Sequence, residues 1–310
     1  MSFKLLCYRD GGTSTRAGLL ARDEVFDVAR LLDCAGYAQV SRILEHWDVV
    51  GEQLRLGAEA PPEHCYVGSV STVKLAAPLE PVGAIFCAAA NFKDHMLAMA
   101  QKLGQPPEPD PRELDVKPYH FLKPARQTMV GPDAVVKLPA YAQRIDWEAE
   151  LVAVIGSPAC NVSVERALDH VAGYTVGNDL SVRDRAFMKR PNVLDASLFK
   201  TDFIGMKGFD ESCPIGPWIV PAAAIGEPQR LAIKLWLDDE LMQDSSTSNM
   251  VFSVAEQIAY LSERVTLLPG DIVMTGTPAG TGAEQDRFLR AGQTLRVWIE
   301  HIGELRTFLA

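Results

Sequence analysis

The chain has few of the features that would place it in a special class. Its six cysteines are scattered (Cys7, Cys34, Cys65, Cys87, Cys160, Cys213), with no C-x-x-C pair and no neighbouring histidine at zinc-ligand spacing. Disulfide frameworks and zinc modules are therefore set aside, and the thiols read as reduced. No apolar run reaches the roughly 18 residues of a membrane span, and the N-terminus lacks a basic region followed by a long apolar stretch, so a cytoplasmic location is expected. Basic residues are outnumbered, 30 against 40, and the net charge of −10 repels phosphate backbones and anionic membrane surfaces. Neither nucleic acid nor membrane is expected as a partner. There is no fixed-period repeat, and the G-x-x-x-x-G-K-[ST] phosphate loop is absent.

What is present is an ordinary globular composition, 47% hydrophobic and 23% charged over 310 residues. Residues 1 to about 75 hold short apolar runs and the helix-like AQVSRILEHW, and they close in PPEHCYVGS. That stretch reads as a small N-terminal domain. From residue 76 to 310 short β-rich segments dominate (AIFCAA, LVAVIG, AGYTVGN, GPWIVP, LAIKLWL, DIVMTG, LRVWIE), separated by Gly, Pro and Asp turn signals. The fold class is mainly β with α, an α+β arrangement. Ser163 before VERALDHVA predicts a capped helix, and Ser253 with Glu256 has the spacing of a capping box. The Pro-rich segment from Gln101 to Lys117 predicts a long surface loop.

In DWEAELVAVIG, Asp146, Glu148 and Glu150 recur at every second position, which on a strand puts three carboxylates on one face. A solvent-facing acidic strand would give the same pattern. The continuous apolar run that follows argues for burial, and carboxylates crowded there repel one another unless a cation neutralises them. Mg²⁺ or Mn²⁺ suits such an oxygen-rich set. GNDLSVRD adds Asp179, with Arg183 and Asp184 as charge partners or turn residues. His95 follows an apolar strand and opens a helix, a position suited to a general base, while Lys207 lies among apolar residues and glycines where it can hold or protonate an anion. In LLPGDIVMTGTPAGTG, Gly276 allows close backbone approach, and the Thr277 hydroxyl with adjacent amides can bind a carboxylate. Surface or turn positions are the alternative for each of these residues.

Taken in order, NFKDH (Asn91 to His95), HFLKP (His120 to Pro124), DWEAELVAVIG, GYTVGNDLSVRD, MKGFDESCPIGPWIV, the stretch Gln243 to Ser253 and LLPGDIVMTGTPAGTG resemble the fumarylacetoacetate hydrolase superfamily over most of residues 80 to 310. The resemblance implies a mixed β-sandwich roll, often preceded by a small N-terminal domain, and a homodimer. It implies Glu148, Glu150 and Asp179 as metal ligands, with Asp146 behind them. It gives His95 the activation of water, Lys207 the stabilisation or protonation of a departing carbanion, and Thr277 a contact to the substrate carboxylate. Arg183 falls near the site, and Gly276 and Lys123 join the substrate-binding set.

Two positions depart from the superfamily's pattern. The glutamate that many members carry three residues after the histidine is Ala98, and the glutamine seven residues after the metal aspartate is Ala186. Glu108, Asp110, Glu113, Glu284 and Asp286 remain alternatives for orienting His95. The leading expectation is hydrolysis of a 2,4-dioxo acid such as an acylpyruvate. Decarboxylation of oxaloacetate, or a lyase or hydratase step on a related 2-oxo acid, is the alternative; a non-catalytic oxo-acid binder is the third. Specificity is expected from the segment after His95, the loop from Gln101 to Lys117 and the segment around Phe187 to Phe199.

Overall fold

The computed structural model describes every residue except Met1, Ser2, Thr13, Pro191, Asn192, Asp195 and Leu198. Its central feature is a 12-stranded sheet in the order Tyr66–Ser69, Glu24–Asp27, Thr15–Ala21, Lys4–Arg9, Cys213–Pro221, Val171–Asn178, Ala149–Ile155, Ile272–Met274, Ile85–Ala88 and His120–Lys123. Two short strands, Leu75–Ala76 and Met129–Val130, pair off this path. A second sheet of five strands (Glu240–Ser246, Ala232–Leu237, Thr294–Ile299, Gly303–Leu309, Ala134–Val136) packs against its middle. This is the mixed sandwich that the β-rich pattern and the resemblance led us to expect.

Ala149–Ile155 is buried at every residue, which is why AELVAVI reads as a continuous apolar run broken only by Glu150. The strands of the five-stranded sheet alternate instead. Ile233, Leu235 and Leu237 are buried while Ala232, Lys234 and Trp236 are only partly so, since one face meets the core and the other faces outward. The N-terminal residues join the large sheet edge to edge at Leu5↔Ile219. Phe3, Leu5, Leu19, Val40, Ile43 and Leu54 share one core with Val152, Val154, Ile215 and Met274.

The helices match expectation unevenly. Val254–Ser262 starts with a complete capping box between Ser253 and Glu256, worth about 1 kcal/mol. Ser163 stands at a helix start but makes no side-chain cap bond, and Val164–Ala167 passes at once into a 3₁₀ turn, Leu168–His170. AQVSRILEHW is not one helix, because the chain leaves helical geometry at His46 between Val40–Leu44 and Trp47–Gly57. The loop after Lys93–Lys102 is exposed over most of residues 103 to 117, as its prolines and charges predict.

Candidate metal centre and active site

Strand register assembles the acidic cluster. Ala149 pairs with Asn178 in the antiparallel ladder, so the start of one buried strand lies beside the end of the next, and Glu148, Glu150 and Asp179 converge. Asp179 donates its amide to the Glu148 carbonyl at 2.9 Å, and the Asn178 side chain accepts from the Glu148 amide at 3.0 Å. One ligand atom from each carboxylate lies within 4.8 Å of the others. The expected single acidic face is interrupted at Trp147: Ile145–Asp146 pairs with Ser181–Val182 as a separate ribbon, which turns Asp146 away to other partners.

Three cations surround the cluster. Lys207 donates to Glu148 at 2.9 Å and to Asp179 at 2.6 Å. Lys123 donates to Asp179 at 2.6 Å and to the Leu180 carbonyl at 3.2 Å. Arg183 pairs with Glu148 and reaches Asp146 at 3.4 Å, and Ser181 donates to Glu148 at 3.1 Å. Burial pushes the Asp179 carboxyl up, but Lys123 and Lys207 outweigh it and hold it down at about 2. For Lys207 burial favours the neutral amine, and Asp179 and Glu148 override it, so the ammonium is held more strongly than usual.

Glu150 is different. It is fully buried, its Oε2 accepts from the Gly276 amide at 2.9 Å, and its Oε1 has no hydrogen-bond partner among the described residues. Burial, then the charges of Asp179 and Glu148, push its carboxyl well above the usual range. A buried oxygen in that condition costs about 1–3 kcal/mol or more unless something binds it. The donor set is three carboxylates around that orphaned oxygen, the chemistry a hard divalent cation prefers, and the residues fit such an ion.

The loop from Thr275 to Glu284 ties this cluster to a base. Its Gly276 amide holds Glu150, and its Gly280 amide holds Glu284 Oε2 at 2.6 Å. Glu284 Oε1 in turn meets His95 Nδ1 at 2.5 Å, with both side chains largely buried. Gly280 has φ +100°, and a Cβ there would lie 2.0 Å from the Met242 carbonyl, so this turn requires glycine. Asp146 pins the same segment by accepting from the Gly282 and Ala283 amides at 2.6 and 3.0 Å.

Of the five acids considered for His95, Glu284 is the one that reaches it. Asp286 pairs with Lys102 and Arg144, and Asp110 accepts from the Arg112 amide in the exposed loop. The Gly276 amide, expected to face a substrate, is taken by Glu150. Lys123 is fully buried and paired with Asp179. Lys207 is 6% exposed rather than a surface lysine in a turn. Thr277 is buried, and its hydroxyl accepts from Gln243, a residue that sequence reasoning had only as part of a matched stretch. Of the segment around Phe187 to Phe199, Pro191, Asn192, Asp195 and Leu198 lie outside the described residues; Ala186 sits exposed on a short helix, Arg185–Met188.

Comparison with known proteins gives this geometry a context. The family model described as fumarylacetoacetate (FAA) hydrolase C-terminal matches residues 84–310. Oxaloacetate tautomerase fahd2, mitochondrial, of Xenopus laevis is 34% identical over 310 residues, 98% of this chain and 89% of that protein. Oxaloacetate tautomerase YisK of Bacillus subtilis is 35% identical over 281 residues, 89% of this chain and 84% of that protein. Among solved structures, maleylpyruvate hydrolase from Sphingobium sp. SYK-6, in complex with manganese(II) and pyruvate, superposes with a TM-score of 0.74 at 27% identity, covering 99% of this chain and 98% of that one.

Proposed function

The chain belongs to the fumarylacetoacetate hydrolase family, and from that premise we propose that it is a metal-dependent enzyme that moves a proton at C3 of a short 2-oxo acid, with keto–enol tautomerisation of oxaloacetate as its reaction. The observation that carries this reading is the His95–Glu284 pair, held by the loop that also holds Glu150 and bears Thr277. One oriented base beside a ligand cluster is what reversible proton transfer next to a carbonyl needs.

Glu148, Glu150 and Asp179 would hold the ion, whose Lewis acidity lowers the cost of negative charge on a 2-oxo oxygen. The His95 Nδ1 proton is given to Glu284, an assignment made from that bond, which leaves Nε2 as the basic atom. Nε2 takes the C3 proton, the C–H electron pair becomes the C2–C3 double bond, and the C=O electron pair moves to the 2-oxo oxygen, which takes a proton from solvent to give the enol while His95 returns its proton to solvent. Lys207 spends two N–H donors on Glu148 and Asp179 and retains a third for that developing charge. Thr277 is assigned the substrate carboxylate. The reverse sequence returns the keto form.

Acylpyruvate hydrolysis is the second reading, favoured by the likeness to the maleylpyruvate hydrolase. It asks more of the site, because attack on a C4 carbonyl needs a donor for the second oxyanion, and Ala186 supplies no polar side chain. A homodimer belongs to the proposal on the resemblance alone. Placement in a reducing compartment rests on the six free cysteines, and the Xenopus relative carries the word mitochondrial in its name. Among the described residues no helix is long and apolar enough to cross a membrane.

The test follows enol absorbance of oxaloacetate with Mg²⁺ or Mn²⁺ and with a chelator, while scoring carbon dioxide, pyruvate and, from acylpyruvates, the released acid. Metal-dependent interconversion without bond cleavage is the expected result. His95→Ala should lower it by about 10²–10⁴-fold. Stoichiometric pyruvate plus a carboxylic acid from an acylpyruvate, with oxaloacetate inert, would replace the first reading by the second.

A further inference from the structure

The side chain of Gln243, on the strand Glu240–Ser246 of the five-stranded sheet, reaches across the core to the large sheet and is fully buried there. Its Oε1 accepts from the Ala149 amide at 3.0 Å, between Glu148 and Glu150 in the chain. Its Nε2 donates to the Pro278 carbonyl at 2.8 Å and to Thr277 Oγ1 at 2.9 Å. The amide's orientation is fixed by its neighbours: a backbone N–H requires the oxygen on one side, and a backbone carbonyl requires the NH₂ on the other. Thr277 Oγ1 must therefore accept from Gln243.

A hydroxyl that accepts in one direction keeps its single proton for another. Among the described residues the Thr277 hydroxyl has no second hydrogen-bond partner. Its proton is left for a ligand, and a ligand that receives it must offer an acceptor.

We propose that Gln243 is a positioning residue that sets the polarity of the Thr277 hydroxyl, so that the site presents a proton donor to the carboxylate of a 2-oxo acid. The inference rests on the assignment of Thr277 to that carboxylate made above. It makes Gln243 a determinant of ligand class, since a free-turning hydroxyl can accept as readily as donate. The same amide ties the threonine loop to the amide of Ala149, so the donor and the metal-ligand strand are set at a constant separation.

The experiment measures oxalate binding in the presence of Mn²⁺ by calorimetry, alongside KM and kcat for oxaloacetate, for the wild type, Gln243→Met, Thr277→Val, Thr277→Ser and the double variant Gln243→Met/Thr277→Val. A hydrogen bond to a charged group corresponds to about a tenfold effect or somewhat more on affinity. Gln243→Met is expected to weaken oxalate and raise KM by about that factor with kcat little changed, the mark of lost uniform binding. Thr277→Val should match it, Thr277→Ser should retain wild-type affinity, and the double variant should be no worse than either single one. A residue that merely braces the loop would lower the melting temperature and leave oxalate affinity alone. Unchanged oxalate affinity in Gln243→Met, or losses that multiply in the double variant, would overturn the assignment of Gln243. Wild-type protein that binds Mn²⁺ but no oxalate would overturn the functional reading and this inference together. Mn²⁺ affinity, read separately, keeps an unfolded Gln243→Met from being mistaken for a weak binder, and in that event the Thr277→Val to Thr277→Ser contrast decides: equal oxalate affinity in those two overturns the proposal.

Discussion

Two buried carboxylates in this chain, Asp27 and Glu150, are equally hidden from solvent and behave in opposite ways. Asp27 has both oxygens engaged: Tyr8 and Arg16 donate to Oδ2 at 2.6 and 2.7 Å, and the Arg30 amide donates to Oδ1 at 2.9 Å. Burial alone would raise its pKa, and these donors outweigh it and hold the carboxyl below its ordinary value. Glu150 has one oxygen on the Gly276 amide and the other on nothing, and its carboxyl is pushed up instead. The first arrangement is complete and stabilises a strand-to-helix junction. The second is complete only with a cation, so between these two equally hidden carboxylates it is the unpartnered Oε1 of Glu150 that points to an ion.

Neutralising Glu150 has the largest expected effect. Glu150→Gln should abolish both metal-dependent turnover and the stabilisation by Mn²⁺, which for a wild-type site at a hundred times its Kd is about 2.7 kcal/mol. Melting curves with and without Mn²⁺ check it, and a metal-induced shift that survives the substitution would put the ion elsewhere. Asp27→Asn should act the other way, costing about 2 kcal/mol because Arg16 is partly exposed and only part of a buried pair's value is lost. Its Mn²⁺ shift should be unchanged.

Acidity sharpens the contrast next. Asp27, with its folded pKa lowered, contributes stability that is present above its unfolded value of about 3.8 and is lost as pH falls through the folded one. Glu150, with its folded pKa raised, costs the metal-free protein stability as pH rises above about 4.5, and a bound cation removes that cost. Mn²⁺ affinity should therefore climb with pH above that value, with proton release on binding, as calorimetry in buffers of different ionisation enthalpy would record. The smallest effect belongs to an exposed pair, Arg112–Glu256 at 2.7 Å. Arg112→Ala should change stability by no more than about 0.5 kcal/mol and leave the metal shift untouched.

Much of this was legible in the chain, for identifiable reasons. The buried strand Ala149–Ile155 and the convergence of Glu148, Glu150 and Asp179 follow from an apolar run flanked by acids, and the capping box at Ser253 is a local pattern with a local outcome. Glu284 stood among five alternatives, because its approach to His95 depends on a loop closure across 189 residues that no spacing encodes. The role of Gln243 is similarly non-local, its partners Ala149, Thr277 and Pro278 coming from two other segments. The break at His46 and the short helix after Ser163 show that a helix-like run and a cap residue do not by themselves set helix length. The separation of Asp146 from the acidic face depended on strand pairing at Ile145–Asp146, which alternation alone cannot reveal.

The most direct test of metal binding at this cluster is an anomalous difference map from crystals grown with Mn²⁺. Binding there predicts one strong peak within about 2.5 Å of an oxygen from each of Glu148, Glu150 and Asp179, with the otherwise unpartnered Oε1 of Glu150 among them. A peak elsewhere, or none at this cluster at millimolar Mn²⁺, would contradict it.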